Sequence, residues 1–239
     1  MPVKEFTPAG ITEGKYTQVN TNNIDNTRGA AAGGAATDGT YFAMAKKQGG
    51  KWRFSRGQFI FDFSTGLPSG IKDVKIYRAD LILSDTIMAA SATGGDKMVV
   101  SHIFNPNTFG TWHSNDYSNA RFSSHTSGQA VTNGTDNFVF RLDNPTLVRK
   151  IQNALNGRTR IHLATRNYLD SSGAAGGAVT GTNSIQFDDV DDNDPLKLRI
   201  YYRVISARRY FRGAGARMSK SGFAGTSFSC GSTSGFGDF

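Results

Sequence analysis

The stretch LKLRIYYRVI, Leu196 to Ile205, alternates without a break. Leu196, Leu198, Ile200, Tyr202 and Val204 fall on one side, and Lys197, Arg199, Tyr201 and Arg203 on the other. Successive side chains of a strand point to opposite faces, so a period of two marks a strand with an apolar face on a core and a cationic face in water. QFIFDFS, Gln58 to Ser64, repeats the pattern with Phe59, Phe61 and Phe63 on one side and Ile60 and Asp62 on the other. After the turn Leu67-Pro68-Ser69-Gly70 comes DVKIYRADLILS, Asp73 to Ser84, which reads as a long strand. It sets Val74, Ile76, Arg78, Asp80 and Ile82 on one parity against Tyr77, Ala79, Leu81 and Leu83, the mostly apolar one. Met98 to Phe104, Asn137 to Leu142, Arg160 to Thr165 and Ser184 to Phe187 are further strands.

One helix interrupts this β pattern. Asn144 is a cap, Pro145 suits the first helical position, and Leu147, Val148, Ile151 and Leu155 form a stripe at helical spacing that ends at Gly157. The expected fold is all-β: an antiparallel jelly-roll β-sandwich with one short helix and extended N- and C-terminal arms. Residues 1–13 form the N-terminal arm, 14–205 the sandwich and 206–239 the C-terminal arm. Two Gly/Ala-rich stretches, Gly29 to Gly39 and Ser171 to Thr182, read as loops within the sandwich.

The order of certain pieces resembles a known family. Arg56, Phe61, Asp62 and Ser64, then Leu67-Pro68, then Ala79, Leu81 and Leu83 resemble the R-x-x-x-x-F-D-x-S…L-P…A-x-L-x-L pattern of DNRLRE-type β-sandwich domains. Thr111-Trp112 and the closing Pro195, Leu196, Leu198, Ile200 and Tyr202 follow in the same order. The resemblance spans roughly residues 14 to 204 and implies a sandwich akin to carbohydrate-binding modules, found in surface and cell-wall proteins. This chain departs from the pattern in its short length, its lack of a signal peptide and its basic C-terminal segment.

Composition narrows the function classes. The 239 residues carry 17 Phe, 8 Tyr and 2 Trp, too many large apolar groups for a disordered chain of this length. No run of 18 apolar residues suggests a membrane helix, and MPVKEFTPAG has no apolar region of the kind that opens a secretory signal. A single cysteine, Cys230, leaves no internal disulfide framework. The net charge of +8 is uneven, because from Arg203 onward six cations face one acid, Asp238. A basic segment favours an acidic protein surface or nucleic acid as partner, nucleic acid being the less favoured here.

Catalytic motifs are missing. His113, Asp116 and His125 lie near Ser114, Ser118, Ser123 and Ser124, but no G-x-S-x-G elbow or phosphate-binding loop accompanies them. No enzyme is expected, and no cofactor. Asp188, Asp189, Asp191, Asp192 and Asp194 offer oxygen ligands that would suit Ca²⁺, but without EF-hand spacing. Trp52, Trp112, Tyr117 and Tyr168 could form an aromatic platform for a sugar, with Trp112, His113 and Tyr117 the favoured set.

The C-terminal segment is the most distinctive. Phe211, Phe223, Phe228, Phe236 and Phe239 stand amid Gly and Ser, beside Arg208, Arg209, Arg212 and Arg217. A flexible linker has no need of large apolar groups, whereas anchors that enter pockets on a partner do. The function expected on this reading is a non-enzymatic structural protein of a phage particle, for capsid decoration or head/tail completion. It would be made in the host cytoplasm and reside in the virion. It would form homo-oligomers and dock on other virion proteins, such as the major capsid protein, through its C-terminal arm. The alternative is a glycan-binding adhesin module that recognises a cell-surface glycan, and no membrane association is expected in either case.

Overall fold

The computed structural model describes residues 1–12, 17–19, 43–67, 71, 73–90, 94–104, 122–134, 137–171, 181–187 and 196–205. The chain divides into two units, Met1–Ser206 and Ala207–Phe239, and the described residues all lie in the first. The first is an all-β sandwich of two antiparallel sheets.

The first sheet runs in the order β1 (Val3–Phe6), β14 (Lys197–Val204), β6 (Val74–Leu83), β11 (Phe138–Arg141). The second runs β10 (Gln129–Ala130), β8 (Lys97–Ile103), β12 (Arg160–Asn167), β5 (Lys51–Asp62), and is extended past β5 by β4 (Ala43–Gln48), β13 (Gly181–Gln186) and β7 (Ile87–Ala89). Short strands complete it. β2 (Gly10–Thr12) and β3 (Thr17–Val19) pair with β5, and β9 (Phe122–Ser123) pairs with β8. Numbering β1, β5, β6, β8, β10, β11, β12 and β14 one to eight gives sheets of order 1-8-3-6 and 2-7-4-5, the two interlocked Greek keys of a jelly roll.

The sequence pattern explains the core. Phe59, Phe61 and Phe63 meet Leu81, Leu83, Leu198, Ile200, Ile161 and Leu163 in one cluster between the sheets. On β14 the inward row Leu198, Ile200, Tyr202 is buried and the alternate residues are not, but Val204 is 42% exposed where the strand leaves the sandwich.

β6 departs from simple alternation. Tyr201 pairs with Arg78 and Tyr202 with Ile76, so Tyr77 is the extra residue of a β-bulge. The inward parity changes there: Val74 and Ile76 enter the core before it, Ala79, Leu81 and Leu83 after it. That is why both parities of the stretch carry apolar residues.

The helix α1 (Pro145–Gly157) starts where expected. Asn144 Oδ1 accepts from the N–H groups of Thr146 (2.9 Å) and Leu147 (3.1 Å), and Leu147, Ile151 and Leu155 are buried. It also ends at Gly157 as expected, but the glycine is not the residue that turns left-handed. The left-handed residue is Arg158 (φ 52°) rather than Gly157, and the Arg158 guanidinium donates to the Ile71 carbonyl at 2.9 Å.

Residues 1–12, the described part of the expected N-terminal arm, pair into the sandwich. β1 pairs along β14 and β2 along β5, so this segment joins both sheets, with Phe6 packed edge-on against Phe63. The sequence hid this because Phe6 is the one residue of β1 that is buried.

Candidate functional site

The residues proposed from sequence for arm docking (Arg208 to Phe239), for glycan stacking (Trp112, His113, Tyr117) and for calcium (Asp188 to Asp194) all lie outside the described residues. Two members of the wider aromatic set are described. Trp52 is not a platform: it is 1% exposed and packs with Phe54 and Leu169. Tyr168 follows β12 in a short 3-10 turn (Tyr168–Asp170), with Lys97 Nζ 5.8 Å from its ring centroid.

A polar layer that sequence reading missed lies on the face of β5 and β12 turned away from the core. Arg56 and Arg166 are cross-strand partners in register and both are fully buried. Like charges so placed repel. Asp170 offsets this by accepting two hydrogen bonds from Arg56, Nε at 2.6 Å and Nη2 at 2.7 Å. The Phe122 ring covers both guanidinium groups, 5.2 Å from Arg56 Cζ and 4.6 Å from Arg166 Cζ. Beside them Gln58 Nε2 donates to His162 Nδ1 at 2.9 Å.

Two Ser–His contacts adjoin this layer. Ser101 Oγ lies 2.8 Å from His125 Nδ1, and Arg166 Nη2 donates to that same nitrogen at 3.1 Å. Lys150 Nζ donates to Ser123 Oγ at 2.9 Å and to His102 Nδ1 at 3.2 Å. Burial, then the neighbouring cation, lowers both histidines from 6.5 to about 4. A general base needs a pKa near the working pH and a partner that stabilises its imidazolium form. In both contacts the serine and the cation share one ring nitrogen, Nδ1, whereas a triad sets serine and carboxylate on opposite nitrogens, so the geometry is not that of a triad. Among the described residues no three His, Cys, Asp or Glu side chains gather in a group fit to hold a metal.

The outward face of the first sheet is cationic. One register row runs Glu5, Arg199, Asp80, Arg141 across four strands. Arg199 donates to Glu5 at 2.7 Å, and Arg78 Nε donates to both Asp80 oxygens at 2.9 and 2.7 Å. Aromatic rings sit between the cations: Arg78 Cζ is 5.1 Å from the Tyr201 ring, and Arg203 Cζ is 5.4 Å from the Tyr77 ring.

This face runs into a groove of about 680 Å³ between β6 and α1. Lys75, Tyr77 and Arg78 line it from the strand, Arg141 and Asp143 from the end of β11, and Arg149 and Gln152 from the helix. Its walls are tied together. The N–H of Val74 donates to Asn156 Oδ1 (3.0 Å), Asn156 Nδ2 donates to the Val74 carbonyl (3.1 Å), and the N–H of Ile76 donates to Gln152 Oε1 (3.0 Å).

Compared with models of known protein families and with the sequences of curated proteins, the chain matches none.

Proposed function

We propose that the chain is a non-enzymatic structural protein of a phage particle, a capsid-decoration or head/tail-completion protein, that docks through residues 206–239 on neighbouring copies and on other virion proteins. The step from jelly roll to particle protein is by fold analogy. The observation that carries the docking reading is at the root of the arm. Val204 and Ile205 are apolar and 42% and 47% exposed, although the Ile205 N–H is fixed to the Asp73 carbonyl at 3.0 Å. They begin a series of apolar groups that Phe211, Phe223, Phe228, Phe236 and Phe239 continue. Exposed apolar surface at the start of a Gly/Ser-rich segment favours a partner that covers it. Many such contacts on one symmetric lattice would give avidity from individually weak sites.

Replacing the five phenylalanines by Ser tests this. Sedimentation of the full chain is expected to lose its oligomeric species while thermal unfolding of the sandwich is unchanged. Oligomers that persist in the substituted chain would contradict docking by these anchors. Oligomers absent from both chains, with glycan binding that survives removal of 206–239, would favour the adhesin alternative.

A further inference from the structure

The cationic groove between β6 and α1 is a feature of the sandwich itself and stands whether or not residues 206–239 act as an assembly arm. Lys75, Arg141 and Arg149 are exposed, and among the described residues none of the three makes an ion pair. The acids nearby make no ion pair with them: Asp80 is buried and paired with Arg78, and Asp143, the one acid lining the groove, is hydrogen-bonded to the N–H and hydroxyl of Ser127, so one carboxylate faces the three unpaired cations. Cations held close together in a concave site raise the local concentration of anions.

The bulge adds a second element. Tyr77, the extra residue of β6, is 45% exposed and lines the groove, with the Arg203 guanidinium over its ring. A groove that follows a phosphate backbone with cations and offers an aromatic ring for stacking has the general design of a site for unpaired nucleic acid. An acidic peptide would satisfy the cations but leave the ring without a stacking role. Duplex bases would be stacked on one another and out of its reach. The Asn156 and Gln152 bonds hold the walls in place, so little ordering is needed on binding.

We propose that this groove binds single-stranded nucleic acid, with Lys75, Arg141 and Arg149 on phosphates and Tyr77 stacked on a base. The test uses the full chain and a fluorescein-labelled 20-mer DNA of mixed sequence, single-stranded or annealed to its complement, titrated by anisotropy at several salt concentrations. Replacing the three cations together (K75Q/R141Q/R149Q) is expected to weaken single-strand binding and to reduce the salt slope of log K by about 2, at about 0.7 per phosphate contact on a single strand. Tyr77→Ala is expected to weaken it about tenfold with the slope kept, and Tyr77→Phe to restore it. Unchanged melting curves would show that each variant folds. The proposal is overturned if the triple variant keeps the affinity and slope of the parent, which would assign binding to residues 206–239. It is also overturned if the duplex binds as tightly as the single strand, if poly-glutamate displaces the DNA as readily as unlabelled strand does, or if no binding is seen at low salt.

Discussion

Asn156 completes a sheet from a helix: its side-chain amide both accepts from the N–H of Val74 and donates to the Val74 carbonyl. β11 pairs with β6 only from Asp80 to Leu83, and the start of β6 would otherwise lack a neighbour on that side. Gln152, one helical turn earlier, does the same for the N–H of Ile76.

Asn156→Leu therefore leaves two backbone groups of a buried residue without partners, at a cost of about 1–3 kcal/mol. Asn156→Asp retains the acceptor and loses the donor, and is expected to fall between parent and Leu. Urea unfolding measures both; a Leu variant as stable as the parent would show that water replaces the amide.

The Arg56–Asp170 pair is fully buried on both sides. Asp170→Asn removes the carboxylate and leaves Arg56 facing Arg166 across the strands, an expected loss of about 3–5 kcal/mol. The double change Arg56→Met with Asp170→Leu is expected to recover most of that loss, because it removes the stranded charge along with its partner. A double variant no more stable than Asp170→Asn would contradict this.

His102 and His125 make stability depend on pH. Burial is the main cause of their shift to about 4, followed by Lys150 for His102 and Arg166 for His125. The unfolded chain then binds more protons than the folded one between about 4 and 6.5. Their contribution is complete above 6.5 and declines on acidification through that window. Asp62, lowered from 3.8 to about 2 by its bond with Arg160, loses its contribution in a separate, lower window. The urea midpoint is expected to fall across the histidine window, and to fall less in His102→Gln with His125→Gln. A midpoint flat over that range would contradict the assignment.

The parts of the fold legible in the sequence are those in which one residue's neighbours decide its place. Leu198, Ile200 and Tyr202 alternate with charges, and Asn144-Pro145 precedes an apolar stripe; both elements form as the pattern predicts. The shift at Tyr77 is hidden because a bulge changes parity without changing composition. The buried face of β5 is hidden for another reason. Arg56 and Gln58 alternate with Phe59 and Phe61 as solvent-facing residues do, and their cover, Phe122 and Asp170, comes from far along the chain. The groove is illegible for the same cause: Lys75, Arg141 and Arg149 come from three separate elements. The residues of the resemblance that are described have structural duties, Arg56 with Asp170, Phe61 in the core, and Asp62 accepting from the Ser64 N–H at 2.9 Å.

On the proposed function, the sandwich folds by itself and the C-terminal segment assembles it. The most direct measurement is light scattering of the full chain and of a chain ending at Ile205, with circular dichroism to confirm that each is folded. The expected result is oligomers for the full chain and a folded monomer for the shortened one. A full chain that remains monomeric, or a shortened chain that forms the same oligomers, would contradict it.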